Sequence, residues 1–217
     1  GFNRFIWRFD RNPLPQLEYP AATEQQQDPR ARYFRGFGGT VIPGSYTVAL
    51  ARGKENAETK VRVNPDPRMA LPDTEALKRN YDRARAFAAR IESLNATLKP
   101  LTAVRESLAN SDRLIKEDQG FATAVSDEYK AVKEELARMD EAFGKRQDGL
   151  TGRINGYRAI LMASGPLGEQ EEKTFSDAGA ALEEAARMAT TFLDGSWAKY
   201  VSKLKETTVT GDAVILK

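Results

Sequence analysis

The chain of 217 residues contains neither cysteine nor histidine. Without cysteine there is no disulfide, no thiolate nucleophile and no cysteine-ligated metal. Without histidine there is no Ser-His-Asp triad, no imidazole acid or base and none of the usual ligand sets for zinc or haem. The sequence therefore excludes the most frequent catalytic and metal-binding chemistries.

Long hydrophobic runs and an excess of either charge are missing too. No stretch approaches the roughly 18 consecutive apolar residues of a membrane-spanning helix, so no membrane span is predicted. Lys and Arg number 33 against 31 Asp and Glu, so the net charge of +2 predicts no nucleic acid, anionic membrane or acidic substrate as a partner. With 41% apolar residues, the chain is typical of a soluble, globular protein of one ordinary domain or two small ones.

The first residues show no targeting signal. The apolar run in residues 1–7 is too short for a signal peptide, and Arg8 follows it at once. The chain opens at Gly1 in a run that is typical of a strand, without an initiator methionine. We therefore expect a fragment whose upstream residues are missing.

Proline is scarce after residue 72 and frequent before it. Eight of the ten prolines precede residue 73, and the other two are Pro100 and Pro166. Because a proline in a helix interior costs about 3 kcal/mol, the first part cannot be substantially helical, and a boundary is expected between Pro65 and Asp73. We predict an α+β fold, mostly α by length, with a partial immunoglobulin-like β-sandwich in residues 1–70, an antiparallel up-and-down bundle of four to six helices in residues 73–206, and a β-prone tail in residues 207–217.

The first part has the pattern of β-strands. Residues 2–9 alternate in part and are rich in aromatics, and a strand over residues 45–50 places Tyr46, Val48 and Leu50 on one face. Residues 52–56 are typical of a hairpin connection to a further strand over residues 59–63. A complete immunoglobulin-like domain needs about seven strands and about 100 residues, so two or three strands are expected upstream.

The second part has the spacing of amphipathic helices, with Asp73 as the expected N-cap and Pro100 as the first end or kink. The second helix is expected to stop near Gln119-Gly120, and Asp194-Gly195-Ser196 to break the chain before a last short helix. Short connections favour antiparallel neighbours. The stripes are predicted at Leu77, Tyr81, Ala84, Ala88, Ile91 and Leu98; Leu101, Val104, Leu108 and Ile115; Val125, Tyr129, Val132, Leu136, Met139 and Phe143; Leu150, Ile154, Tyr157 and Leu161; Phe175, Leu182, Ala189 and Leu193; and Trp197, Tyr200 and Leu204.

Acidic residues form adjacent pairs on the predicted helices, and glycoside hydrolases use two carboxylates. Neighbours on a helix diverge by about 100°, so the members of a pair do not converge on one bond. Most pairs also have Lys or Arg nearby, so a charged helix surface is favoured over a catalytic pair. Examples are Glu134-Glu135, Asp140-Glu141, Glu171-Glu172 and Glu183-Glu184.

A metal site in the bundle is not predicted. Such sites use Glu-x-x-His motifs, which a chain without histidine cannot contain. A site made of carboxylates alone would need acidic residues on the apolar stripes, and the stripes contain none. We assign no catalytic, cofactor-binding or metal-ligating residue, and we expect no cofactor.

Three other patterns have both a functional and a structural interpretation. Arginines interleaved with aromatics in residues 4–11 and 30–35 suit single-stranded nucleic acid, but alternation between core and surface is favoured, and no nucleic acid partner is expected. The glycines of residues 36–39 lack the Lys-Ser/Thr of a phosphate-binding loop, so a turn that enters a strand is favoured. Asn95-Ala96-Thr97 fits the N-glycosylation pattern, but its position on a predicted helix argues against its use.

Three runs of residues carry a resemblance to a known family. They are residues 1–7 (GFNRFIW), residues 39–50 (GTVIPGSYTVAL) and residues 66–68 (DPR). In this order they resemble the C-terminal region of large bacterial sortilin-like β-propeller proteins, which are often labelled BNR-repeat, sialidase-like or glycosyl hydrolase proteins. Two features depart from the family: Arg8 replaces the usual Asp, and the loop over residues 11–37 is longer.

The resemblance implies an immunoglobulin-like module followed by a bundle, with a propeller upstream. It implies a non-catalytic accessory or interaction module of an exported bacterial protein, used for scaffolding or for contact with a partner or glycan. The expected location is the periplasm, the outer membrane or the cell exterior. The expected partner is the propeller domain or another protein chain, in an oligomer or larger assembly. The alternative is a structural part of a sialidase-like glycoside hydrolase whose catalytic residues lie in the upstream propeller.

The last short helix carries an aromatic-rich stripe of Trp197, Tyr200 and Leu204, with the apolar tail just behind it. A short helix is marginal alone, so this stripe is expected to be buried. The open end of the bundle itself is favoured as the surface that buries it. The alternative is that the tail packs on the sandwich or on an upstream domain.

Overall fold

The computed structural model describes residues 6, 7, 9–20, 38–68, 73–144 and 148–207. Of these residues 67% are helical, and they also contain one two-stranded antiparallel sheet. The prediction of a mostly helical chain with β-structure in its first part is therefore confirmed. Within the described ranges, no helix combines the length and the apolar character that crossing a membrane requires.

The sheet is a hairpin of β1 (Gly44–Arg52) and β2 (Glu55–Val63), joined by Gly53-Lys54. Each residue of β1 has a partner in β2, from Gly44 opposite Val63 to Arg52 opposite Glu55. Gly53 has a φ of 61°, which glycine adopts without steric cost and which suits the first position of a type II′ turn. The hairpin prediction is confirmed.

The strand predicted over residues 2–9 is wrong where the structure describes it. Ile6, Trp7 and Phe9 are not in a strand, and residues 1–5 and 8 lie outside the described residues. Phe9 has a φ of 58°, a value that is rare for an aromatic residue and that takes the chain out of the extended conformation. A single bridge between Asp10 and Thr40 follows. The described residues therefore show a hairpin and a bridge, and not an immunoglobulin-like sandwich.

The bundle begins at Asp73, whose side chain accepts a hydrogen bond from the Ala76 backbone N–H at 2.9 Å and caps the first helix as predicted. Asp118 caps the third helix in the same way, because its Oδ1 accepts hydrogen bonds from the backbone N–H groups of Gly120 and Phe121. The helical segments are α1 (Thr74–Leu98), α2 (Leu101–Glu117), α3 (Gln119–Gly144), α4 (Leu150–Asn155), a 3₁₀ helix (Gly156–Met162), α5 (Glu169–Phe192), a π-helical turn (Leu193–Trp197) and α6 (Ala198–Glu206).

Two predicted features of the helices differ from the structure. The fourth helix was expected to reach Leu161, but its α-helical part ends at Asn155 and the chain continues as a 3₁₀ helix. Gly152 and Gly156 lower the helix propensity of this short segment. The expected break at Asp194-Gly195-Ser196 is also wrong, because these residues form the π-helical turn and lead directly into α6. A π turn absorbs an irregularity without ending the helix.

The helical segments form three rods. Rod 1 consists of α1 and α2, which meet at Pro100; rod 2 consists of α3, α4 and the 3₁₀ helix; rod 3 consists of α5, the π-helical turn and α6. At about 1.5 Å per residue, rod 3 is about 55 Å long. Rod 2 runs antiparallel to rod 1, whereas rod 3 runs parallel to rod 1. The contacts that give these directions are Arg105–Asp140 and Asp112–Tyr129 for rods 1 and 2, and Arg83–Glu172 and Ser111–Tyr200 for rods 1 and 3.

One hydrophobic core lies between the three rods, and Ile91, Tyr157 and Phe192 are among its fully buried members. Burial of such side chains stabilises the fold by about 1.5–3 kcal/mol each. The stripe of the last helix joins this core: Tyr200 and Leu204 are buried, and the Tyr200 hydroxyl donates to Ser111 Oγ at 2.5 Å. The bundle itself therefore buries Tyr200 and Leu204, as the favoured prediction has it, whereas Trp197 is only half-buried. Residues 208–217 of the tail lie outside the described residues.

Candidate functional site

The paired carboxylates of the helices take part in contacts between rods. The Arg83 guanidinium donates two hydrogen bonds to Glu172, at 2.6 and 2.7 Å, and these bonds lower the pKa of that carboxyl. Within the described part of the chain, acidic side chains do not come together as a group that could hold a metal ion. The partners of the other three pairs are Ser196 for Glu135, Arg105 and Tyr19 for Asp140, and Arg90 for Glu183.

The hairpin has one mostly apolar face, whose six central residues we call the hairpin face; the ion pair Arg52–Glu55 lies on the same side, at the turn. Its register places Tyr46 opposite Val61, and alternation brings Val48 and Leu50 to the same side. The opposite side is polar, with Lys60 and Arg62 among its residues. The hairpin face consists of Tyr46, Val48, Leu50, Ala57, Thr59 and Val61.

An aromatic cluster continues the hairpin face toward the N-terminus. The Trp7 ring lies 5.6 Å from the Tyr46 ring in an edge-on arrangement and 5.1 Å from the Phe9 ring, measured between centroids. Trp7 Nε1 donates to the Asp10 carbonyl at 3.0 Å, and this bond holds the indole in place. Phe9, with its positive φ, is therefore part of this aromatic cluster.

Exposed apolar side chains are concentrated on this surface. Among the described residues, five large hydrophobic side chains are exposed, and four of them are Ile6, Phe9, Val48 and Leu50. Leu50 is 70% exposed and Ile6 is 63% exposed. Scattered exposed apolar residues are ordinary, but a contiguous group of them marks an interaction surface.

Both edges of the hairpin are open within the described residues. β1 and β2 pair with each other and with no other described strand. An open edge carries unpaired backbone N–H and C=O groups and accepts a further strand. The hairpin thus offers two kinds of contact to a partner, the backbone groups of its edges and the side chains of its face.

Residues 11–20, which we call the strap, connect the hairpin surface to the bundle. The Arg11 guanidinium carbon lies 3.6 Å from the centroid of the Tyr81 ring at the start of rod 1. The strap then runs between rods 1 and 2, where Leu17 is buried in the core. The Tyr19 hydroxyl donates to Asp140 at 2.7 Å, and its ring stacks on Phe143 with centroids 4.2 Å apart.

Arg105 closes the far end of the strap. Its Nε donates to the Pro20 carbonyl at 3.0 Å, and its terminal nitrogens donate to Asp140. Burial acts to lower the pKa of Arg105, but its hydrogen bonds and its attraction to Asp140 outweigh burial, so the guanidinium stays charged. Burial, reinforced by Asp140, raises the pKa of Tyr19, so its hydroxyl stays a donor.

The other sequence patterns are placed as follows. Of the arginines interleaved with aromatics, Arg11 contacts Tyr81, while Arg4, Arg8 and residues 30–35 lie outside the described residues. Residues 36 and 37 of the glycine-rich run also lie outside them. A Cβ on Gly38 would lie 1.8 Å from the Asn12 carbonyl oxygen, so glycine is required where this run crosses the strap.

Sequence reasoning missed two asparagines that bind the strap, Asn95 and Asn155. Asn95 fits the glycosylation pattern and fills a seam position of the first helix, but its side-chain amide is hydrogen-bonded to the backbone of Gln16 and Glu18. The one available signal was its position in the apolar seam of α1, where a polar side chain needs a partner. No such signal exists for Asn155, because the helix around it is short and irregular.

No protein-family model, no curated protein and no solved structure matches this chain. The resemblance to the C-terminal region of sortilin-like propeller proteins therefore stays a prediction from the sequence.

Proposed function

We propose that this chain is a non-catalytic interaction module at the C-terminus of an exported bacterial β-propeller protein. In this proposal the hairpin belongs to an immunoglobulin-like sandwich whose remaining strands come from upstream sequence or from another chain. The bundle serves as a rigid base for that sandwich. The module lies in the periplasm, on the outer membrane or outside the cell.

The concentration of exposed apolar side chains on the hairpin face is the observation that carries this proposal. Val48 and Leu50 alternate on β1 as core residues of a sheet do, yet both are exposed. The six residues of the hairpin face bear no charge, and the two charged residues on the same side, Arg52 and Glu55, pair with each other at the turn. An apolar partner surface fits this face. A second sheet that packs on one face of a sandwich has this chemistry.

The size of the hairpin face supports a sheet partner over a separate docking protein. Two nine-residue strands present a face of roughly 30 Å by 10 Å, or about 300 Å². A stable complex buries about 800 Å² on each partner. The hairpin face therefore suits a partner that also pairs with the open edges, and strands that complete the same sheet do this.

The experiment expresses the polypeptide encoded directly upstream of Gly1 as a separate chain and titrates it with this protein by calorimetry. We expect binding with a negative heat-capacity change, which marks the burial of apolar surface. The variant Leu50→Lys puts a charge on the hairpin face and should weaken binding at least tenfold. The matched variant Ala49→Lys puts the same charge on the opposite face of β1 and should bind like the unmodified chain.

Two results would overturn the proposal. One is the absence of binding between the two folded polypeptides. The other is an equal loss of affinity in Leu50→Lys and Ala49→Lys, because the hairpin face would then have no special part in the contact.

A further inference from the structure

The strap is bound by the bundle in the way that a receptor binds a peptide. Residues 11–20 form neither a helix nor a strand, and the bridge between Asp10 and Thr40 lies just before them. From Arg11 at Tyr81 to Pro20 at Arg105, the strap follows α1 into α2. Nine residue steps in extended conformation cover about 30 Å, and the side chains of Arg11 and Arg105 bridge the rest of the roughly 36 Å between these positions of rod 1.

Two asparagines hold the middle of the strap by its backbone. The Leu17 N–H donates to Asn155 Oδ1 at 2.9 Å, and Asn155 Nδ2 donates to the Leu17 carbonyl at 3.4 Å. Asn95 Nδ2 donates to the Gln16 carbonyl at 2.8 Å, and the Glu18 N–H donates to Asn95 Oδ1 at 3.0 Å. Each side-chain amide donates one hydrogen bond to the strap backbone and accepts one from it, as the neighbouring strand of a sheet would.

The backbone of the strap is held in the same way on either side of residues 16–18. The Tyr157 hydroxyl donates to the Pro15 carbonyl at 2.6 Å, and Arg105 Nε donates to the Pro20 carbonyl at 3.0 Å. Prolines at both positions lack a backbone N–H, so they leave no buried donor without a partner. These hydrogen bonds are made to the backbone of the strap and not to its side chains.

Leu17 and Tyr19 supply the side-chain contacts. They are two residues apart, as residues on the same side of an extended chain are. Leu17 is only 3% exposed and enters the core near the interruption of rod 2 between Gly144 and Leu150. Tyr19 stacks on Phe143 next to the same interruption. Glu18, between them, is exposed.

We propose that the groove between rods 1 and 2 is a peptide-binding site that accepts the strap of a second copy of this chain in place of its own. The ligand class is an extended segment of the pattern Pro-x-Leu-x-Tyr-Pro. Every copy of the chain carries both the groove and this segment, and the contacts that bind them connect side chains of the bundle to a segment with no regular structure of its own. Exchange of such a segment between copies needs no new contact. The inference does not depend on the hairpin face.

The experiment uses the full chain and a fluorescent synthetic peptide of residues 11–20. In the variant Leu17→Asp the chain's own strap is weakened, and we expect the peptide to bind this variant in an anisotropy titration. Binding to the unmodified chain should be at least tenfold weaker, because its own strap competes at high effective concentration. Addition of Asn155→Ala to Leu17→Asp should weaken binding at least tenfold. A peptide with Asp at the position of Leu17 is the matched control ligand.

A second measurement tests exchange between copies. A chain with Asn95→Ala and Asn155→Ala has a weakened groove and an intact strap, whereas Leu17→Asp has the reverse. We expect each chain alone to be monomeric by light scattering, and an equimolar mixture to contain a 1:1 dimer. The variant Leu50→Lys on the hairpin face should not change this result.

Three outcomes would overturn the proposal. The first is a folded Leu17→Asp chain that fails to bind the peptide or binds the control peptide equally well. The second is a mixture of the two chains that stays monomeric. If Leu17→Asp does not fold, Tyr19→Ala, at the rim of the groove, replaces it; failure of both variants to fold would show that the strap is an inseparable part of the fold, which also overturns the proposal.

Discussion

Ile91 in the bundle and Leu50 in the hairpin are aliphatic residues on regularly spaced apolar faces, yet Ile91 is 0% exposed and Leu50 is 70% exposed. The three rods bury their stripes against one another, so the bundle is complete within the described residues. The hairpin has the same kind of patterning, but the described residues cover its face only at Tyr46, where the Trp7 ring lies 5.6 Å away between centroids. An isolated two-stranded hairpin is marginal in water. The two regions thus differ in how far the described chain buries their apolar residues.

The largest effect should come from Ile91→Ala. This change leaves a cavity in the core and should lower the free energy of unfolding by about 2–5 kcal/mol. Leu50→Ala is the matched change in the hairpin and should stay within about 0.5 kcal/mol of the unmodified chain. Urea unfolding followed by circular dichroism at 222 nm measures both. A cost above about 2 kcal/mol for Leu50→Ala would contradict the contrast between the two regions.

An intermediate effect is expected at high pH, because the bundle buries tyrosines. Burial raises the pKa of Tyr157 to about 12, and burial is also the largest cause of the raised pKa values of Tyr19 and Tyr200. Below pH 10 these phenols are neutral in the folded and the unfolded chain. Above pH 10 the unfolded chain loses its protons first, so the stability that the neutral phenols contribute is lost between pH 10 and pH 12.

The variant Tyr157→Phe isolates the contribution of one phenol. Tyr157 alone accounts for at most about 1.4 kcal/mol per pH unit. The variant should therefore show a smaller slope of unfolding free energy against pH between 10 and 12, and an unchanged slope between 7 and 9. An identical slope above pH 10 would contradict the role of this buried phenol.

The smallest effect on the whole molecule should come from Gly53→Ala in the turn of the hairpin. A non-glycine residue at a φ of 61° costs about 1 kcal/mol, so the hairpin amides should exchange faster with deuterium. The melting of the helices should not change, because the hairpin face is not packed on the bundle. Gly179→Ala is the control, since a Cβ there meets nothing within 4 Å and should stabilise α5 by up to about 1 kcal/mol. Destabilised helices in Gly53→Ala would show that the two regions are coupled.

Local patterns were sufficient for the helices and the hairpin. The 3.6-residue spacing of α1 and the cap at Asp73 identify that helix, because both signals lie within a few residues of each other. The glycine at position 53 and the alternation around it identify the hairpin in the same way. The break predicted at residues 194–196 is wrong, because the residue pattern of a π turn does not differ from that of a helix end.

The strap could not be predicted, because its partners are distant in the sequence. Asn155 and Leu17 are separated by 138 residues, and Asn95 and Gln16 by 79. Sequence spacing describes neighbours along one element and gives no information on which loop a helix will bind. The proline content of residues 13–20 indicated a loop, and an extended segment bound in a groove has the same composition.

The parallel direction of rods 1 and 3 has a mechanical consequence. The bridge at Thr40 lies near the start of rods 1 and 3, since a Cβ on Gly39 would lie 3.5 Å from Leu161 and Arg11 contacts Tyr81. Glu206 lies at the other end of rod 3, about 55 Å away by the length of that rod. A force applied between these two ends acts along the axes of the rods. The side-chain contacts between the rods are then loaded together in shear, and are not separated one at a time. The bundle therefore separates the bridge at Thr40 from residue 207 by about the length of rod 3.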